Sequence, residues 1–131
     1  MIRSYKDSDY IEIFKWWIKA DEIPPFKEML TKETTFVYEK NDKPLVCISL
    51  YLTNCKEIAY LENFVRDPQF LGKEKDTAMR QILDYVENVA KTRGYKRLIC
   101  FSYKDKVKSK YEEFGYRNTL NNLASFVKEI N

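Results

Sequence analysis

Histidine is absent from the 131 residues. That absence removes Ser-His-Asp and Cys-His nucleophilic machinery together with the usual imidazole metal sites, so acid-base chemistry must rest on Glu, Asp, Tyr, Cys or Lys. Cysteine is scarce: Cys47, Cys55 and Cys100 are an odd number at wide spacing with no CxxC, which indicates neither a disulfide framework nor a zinc site. Cys47 and Cys100 lie inside apolar runs and read as small buried hydrophobes. Only three glycines occur, Gly72, Gly94 and Gly115, each at a junction between expected elements, where a backbone need is the natural explanation. Of the four prolines, Pro24 and Pro25 form too brief a break to separate domains. No apolar run reaches bilayer length, and Met1 to Asp9 lacks the apolar stretch of a secretory leader, so the expected setting is the cytoplasm.

Apolar residues make up 44% of the chain, enough for one ordinary core, and residues 1–131 are expected to form a single domain. Charge is mild and interspersed, 23 basic against 20 acidic residues for a net of +3; it favours neither nucleic acid nor a membrane as partner. Lys104, Lys106, Lys108 and Lys110 alternate, a phosphate-binding patch or, more commonly, a solvated helix face.

The pattern predicts a strand over 2–5, then a helix with Ile11, Phe14 and Ile18 on its apolar face, thickened by Trp16 and Trp17. Pro24 and Pro25 suit the first turn of a short second helix through Phe26, Met29 and Leu30. Residues 34–40 and 45–53 read as a hairpin about the turn at 41–44, and 58–65 as a third strand of the meander, stopped by Pro68. From Asp76 to Arg93 apolar residues keep a 3.6-residue period up to Gly94. A buried-type strand over 97–103, a helix over 104–114 closed by Gly115, and strands over 116–119 and 124–130 complete the order β-α-α-β-β-β-α-β-α-β-β. This order predicts an α/β fold of the mixed kind, with a partly splayed mixed sheet flanked by helices.

Two stretches carry a resemblance. Leu61-Glu62-Asn63-Phe64-Val65-Arg66-Asp67-Pro68, followed by Gln69-Phe70-Leu71-Gly72-Lys73, resembles the fourth strand and following loop of GNAT N-acetyltransferases, roughly I-E-N-V-V-x-x-P-x-x-R-G-K-G-x-G. Lys110-Tyr111-Glu112-Glu113-Phe114-Gly115-Tyr116 is similar to the F-Y-E-K-x-G-F signature of the same family. The resemblance implies the GNAT fold and transfer of an acetyl group from acetyl-CoA to a primary amine by direct transfer in a ternary complex, with no metal.

It implies Glu62 as general base, and Tyr111 as the acid for the departing thiolate. A phenol near pKa 10 suits a thiol leaving group near 8 to 9. Asn63, Phe64, Val65 and Arg66 would offer the strand edge to the pantetheine, and Leu71, Gly72, Lys73, Glu74, Lys75, Asp76 and Thr77 would cradle the pyrophosphate at a helix N-terminus. Trp16, Trp17 and Phe26 fall where the family builds its acceptor wall. The acceptor would be a small-molecule amine or a protein amine, and a second copy of the chain is an admissible partner.

Departures from the family pattern lie in the loop and in the helix after it, which is longer, counted back from Gly94, than the family's usual spacing. Leu71 replaces the Arg or Gln that opens the cradle, and Glu74 and Asp76 replace two glycines; Asp76 is readable as the helix N-cap. In this the chain is similar to small GNAT-like proteins of bacteriophages and their hosts. Those carboxylates also raise an alternative, a catalytically inactive protein-binding module on the same fold.

Overall fold

The computed structural model describes residues 1–102, 105–119 and 128–130. They fall into two compact units, Met1–Phe101 and Ser102–Asn131.

In the first unit the strands are β1 (Ile2–Ser4), β2 (Thr35–Lys40), β3 (Lys43–Leu52), β4 (Ala59–Arg66) and β5 (Leu98–Ile99). They form one sheet in the order β1-β2-β3-β4-β5. The first four pair antiparallel, whereas β5 runs parallel to β4. The β2–β3 turn needs only Asn41 and Asp42, both at positive φ (51° and 60°), the left-handed pair that matches the twist of a tight hairpin. The sheet is mixed, as expected.

Helix α1 (Tyr10–Lys19) covers one face and α2 (Gly72–Thr92) the other. On the α1 face, Tyr5, Ile13, Trp16, Leu30, Val37 and Cys47 form a buried cluster. Strand alternation turns Phe36, Val46, Ile48 and Leu50 to the opposite face, where α2 brings Ala78, Ile82, Leu83, Val86 and Ala90. The Phe36 and Tyr85 rings meet edge-on at 5.1 Å. Each fully buried aliphatic side chain contributes about 1.5–3 kcal/mol.

Three expectations change. First, α1 buries Ile13 and Trp16, while Ile11, Phe14 and Ile18 are exposed. Both stripes have helical spacing, and a local ion pair ties the start of the helix to β1. Arg3 grips Asp9 at 2.8 and 2.9 Å, and Asp9 accepts the Lys6 N–H at 2.8 Å, so the approach to the helix is fixed from β1. Second, the Pro24-Pro25 segment yields only a 3-10 turn, Lys27–Met29, entered from an extended Phe26; Pro25 disfavours helical backbone at Pro24, so no helix starts there. Third, α2 begins at Gly72, not Asp76, and runs 21 residues. Its Lys- and Glu-rich start is made of good helix formers.

Of the predicted strand over 97–103, only Leu98–Ile99 pairs among the described residues. The second unit contains α3 (Asp105–Glu113), closed by Gly115 at φ +93°. Residues 116–119 carry no regular structure, and most of the last predicted strand, over 124–130, lies outside the described residues. Among the described residues no helix is long and apolar enough to cross a membrane.

Candidate functional site

Strand β4 is held unequally on its two sides. Towards β3 it pairs from Ala59 opposite Leu52 to Arg66 opposite Val46. Towards β5 it pairs only at Ala59 with Leu98 and Tyr60 with Ile99. From Leu61 to Arg66 no strand among the described residues pairs with that edge. Asn63, Phe64, Val65 and Arg66 all lie on this stretch.

Midway along it, the β3–β4 register shifts: Ser49 faces Glu62 and Cys47 faces Val65, leaving Asn63 and Phe64 opposite Ile48 alone. This is a bulge, and Asn63 adopts φ +56° within it. Its Nδ2 donates to the Tyr51 hydroxyl at 2.6 Å and to Ser49 Oγ at 3.2 Å. Ser49 Oγ in turn lies 3.0 Å from Thr35 Oγ1, and the Tyr51 hydroxyl donates to the Met29 carbonyl at 2.9 Å. Tyr51 drew no attention in the sequence as one tyrosine among ten; only the strand register brings it to Asn63.

Glu62 shares the face of Ser49 and Tyr51. It is half-buried and makes no hydrogen bond or ion pair with a described residue. Burial pushes its carboxyl above the usual carboxylate range. The phenol of Tyr51 is also raised, first by burial; the Asn63 bond pulls it down and the Glu62 charge pushes it up. An unpaired carboxylate made more basic by burial can take up a proton near neutral pH more readily than an exposed one.

After β4 the chain makes a tight turn that is organised by its own polar groups. Arg66 Nη1 donates to the carbonyls of Asp67, Pro68 and Phe70 at 3.1, 3.4 and 3.2 Å. Buried Asp67 accepts the Gln69 N–H at 2.9 Å and pairs with Lys43 at 3.2 Å. The Arg66 guanidinium is therefore committed to shaping the turn. Extended Leu71 leads into Gly72 at φ +81°, and no side chain caps α2. The first N–H groups of a helix lack intrahelical acceptors, and together with the dipole they favour an anion.

The loop carboxylates do not cap these groups. Glu74 is exposed and ion-paired with Lys40 of β2, and Asp76 lies one turn into the helix, 3.2 Å from Lys75. Lys73 and Thr77 are exposed.

Of the three aromatic residues assigned to the acceptor wall, Trp16 is only 4% exposed and belongs to the core cluster. The turn that buries Ile13 also carries Trp16 inward, so Trp16 is withdrawn from the wall. Trp17 packs at the edge of the cluster with its indole N–H buried and without an acceptor among the described residues. Phe26 is 72% exposed. Tyr111 belongs to the second unit, half-buried on α3, with its ring edge-on to Tyr116 at 5.3 Å. Among the described residues no three Cys, Asp or Glu side chains group to hold a metal ion.

A mixed sheet whose fourth and fifth strands part after two residues, followed by a long helix with an uncapped start, is the GNAT acetyltransferase fold. Solved structures of that class superpose on nearly the whole chain. Ard1 from Thermoplasma volcanium aligns with a TM-score of 0.76 at 12% identity, covering 92% of this chain and 84% of its own. A predicted acetyltransferase from Clostridium acetobutylicum, solved with acetyl-CoA, aligns at 0.70 and 16% identity over 97% and 95%. Glucosamine-6-phosphate N-acetyltransferase from Arabidopsis thaliana aligns at 0.68 and 18% identity over 98% of both chains. No family model and no curated protein matches the sequence.

Proposed function

We propose that the chain is an acyl-CoA-dependent N-acyltransferase that moves an acetyl group from acetyl-CoA to a primary amine in a ternary complex. The observation that carries this reading is the parting of β4 from β5 after Tyr60 and Ile99, with β4 leading on to the uncapped start of α2. An extended pantetheine can add to a strand edge that parts in this way, as a strand would, and a pyrophosphate suits the free N–H groups beyond it. Similarity of fold to proteins solved with acetyl-CoA or CoA supports the same ligand.

In this mechanism Glu62 removes a proton from the acceptor ammonium, directly or through a water. The amine nitrogen then bonds to the thioester carbon, and the oxyanion that develops is held by backbone N–H groups of the β4 edge. As the tetrahedral centre collapses, the nitrogen gives up its second proton to solvent, the carbon–sulfur bond breaks, and Tyr111 gives its phenolic proton to the thiolate, to be reprotonated from solvent. Trp17 and Phe26 are the remaining candidates for the acceptor wall. The acceptor is a small-molecule or protein amine, and residues 1–131 act as one cytoplasmic catalytic domain.

Titration with acetyl-CoA tests the ligand: a molecule that binds the folded state must raise the melting temperature as its concentration passes Kd. A flat response at millimolar coenzyme would sink the proposal and favour a protein-binding module. Free-thiol release across an amine panel then tests the reaction, where Tyr111→Phe should lower turnover more than coenzyme affinity.

A further inference from the structure

One side chain sets the bulge in β4 beyond its pairs with β5. If β4 kept the register of its last pairs, Cys47 with Val65 and Val46 with Arg66, Glu62 would stand opposite Leu50. It would then point into the face that α2 covers, because a slip of one residue moves a side chain through the sheet. The two residues opposite Ile48 absorb that slip. They leave Val65 packed on the α1-side cluster with Cys47 and keep Glu62 on that same face.

The bulge requires left-handed backbone at Asn63, a conformation that costs most L-residues about 1–2 kcal/mol and asparagine less. Tolerance alone does not hold it. The carboxamide of Asn63 is stitched to β3 at Ser49 and Tyr51, and through Ser49 it reaches Thr35 of β2. Tyr51 uses both halves of its hydroxyl, accepting from Asn63 and donating to the Met29 carbonyl. A continuous polar chain therefore joins β2, β3 and β4 to the 27–29 turn, next to an acid that has no partner of its own among the described residues.

We propose that Asn63 is a positioning residue whose carboxamide fixes the bulge that presents Glu62 on the α1 face, and that Tyr51 transmits the same constraint to the Met29 segment on the acceptor side. The proposal rests on the acyltransferase reading for its kinetic consequences but not for its structural ones. Tyr51 is the titratable neighbour that feels the Glu62 charge.

The test compares Asn63→Gly with Tyr51→Phe. Glycine accepts the left-handed backbone at no steric cost and removes only the carboxamide, so the variant folds. Three quantities are measured: acetyl-CoA affinity by calorimetry, kcat and KM for the acceptor, and the titration of the Glu62 carboxyl by carbon-13 NMR. In Asn63→Gly the carboxyl midpoint is expected to fall towards the ordinary glutamate value. There, kcat should drop about tenfold or more, and coenzyme affinity should weaken as well, because the same bulge shapes the edge on which the pantetheine is proposed to lie. In Tyr51→Phe, acceptor KM should rise with kcat little changed.

Wild-type protein that binds no acetyl-CoA defeats the acyltransferase reading alone, and the carboxyl titration then decides this one. An Asn63→Gly protein with an unaltered Glu62 midpoint overturns the positioning role. A Tyr51→Phe protein with unaltered acceptor KM overturns the transmission to Met29.

Discussion

Two buried acidic sites in the first unit have opposite electrostatics. At the first, Arg3 joins Asp9 at 2.8 Å and Glu39 at 2.6 Å, and these acids are 6% and 9% exposed. Burial alone would raise the Asp9 carboxyl, but the Arg3 hydrogen bonds, with those from the Lys6 backbone, outweigh it and hold the group below the usual range. The Arg3 guanidinium is raised in return, first by its bond to Asp9. At the second site, Glu62 is half-buried with no counter-charge among the described residues, and burial pushes it up. A paired acid that prefers to be ionised, as Asp9 does, is a fastening device. An unpaired acid that resists ionisation costs stability, and such costs concentrate where chemistry is done.

The comparison breaks most visibly at the first site. Arg3→Leu leaves Asp9 and Glu39 buried without their cation, and unfolding by urea should show a loss of about 3 kcal/mol. Acetyl-CoA affinity of the folded protein should be unchanged; a loss below about 1 kcal/mol would show that water reaches these acids freely. Next in size is Glu62→Gln, expected to lower turnover about a hundredfold. With it should go the rise in activity on the acid side of the pH profile, because a base works only once its proton has left. A Gln variant that keeps that limb would move the base elsewhere.

How much of this was legible beforehand depends on the distance over which each feature is decided. The meander, α2 and the three junction glycines follow from local pattern, and the parting of β4 from β5 was reached through the resemblance carried by the Leu61 to Gly72 stretch. The inward face of α1 was not legible, because both of its apolar stripes have helical spacing, and the ion pairs of Arg3 reach as far as Glu39, 36 residues away. Nor was the bulge: Asn63 tolerates left-handed backbone in any turn, and only the register between β3 and β4 brings Ser49 and Tyr51 to its carboxamide. The start of α2 was misjudged because Lys73 to Thr77, wholly polar, shows no periodicity, although its residues favour helix.

The two sites also predict opposite stability profiles. For Asp9 the folded pKa is depressed, so its contribution is fully present above the unfolded value near 4 and is lost as pH falls through the folded one. For Glu62 the folded pKa is raised, so the folded state holds more proton than the unfolded chain above about pH 4. Stability therefore declines as pH rises through that window and stays lower above it. Asp9→Asn should lose stability at neutral pH and approach wild type in acid. Glu62→Gln should gain at neutral pH and converge on wild type in acid. Two variants that changed in the same direction at pH 7 would erase the distinction between fastening and working acids.

The smallest effect concerns a third kind of acid, Glu74, exposed and paired with Lys40 at the start of α2. Such a pair is screened by water and salt, so Glu74→Gln should leave the melting temperature unchanged. Its charge nevertheless sits where the coenzyme's pyrophosphate is proposed to lie. Neutralising it removes a like charge from that position and releases Lys40, whose ammonium the Glu74 bond holds firmly protonated. Acetyl-CoA affinity should tighten about two- to threefold at low salt, with the gain fading near 0.5 M salt as the charges are screened. Weaker binding in the Gln variant would mean that the Lys40–Glu74 pair orders the cradle rather than opposing its ligand, and would place Glu74 with the fastening acids.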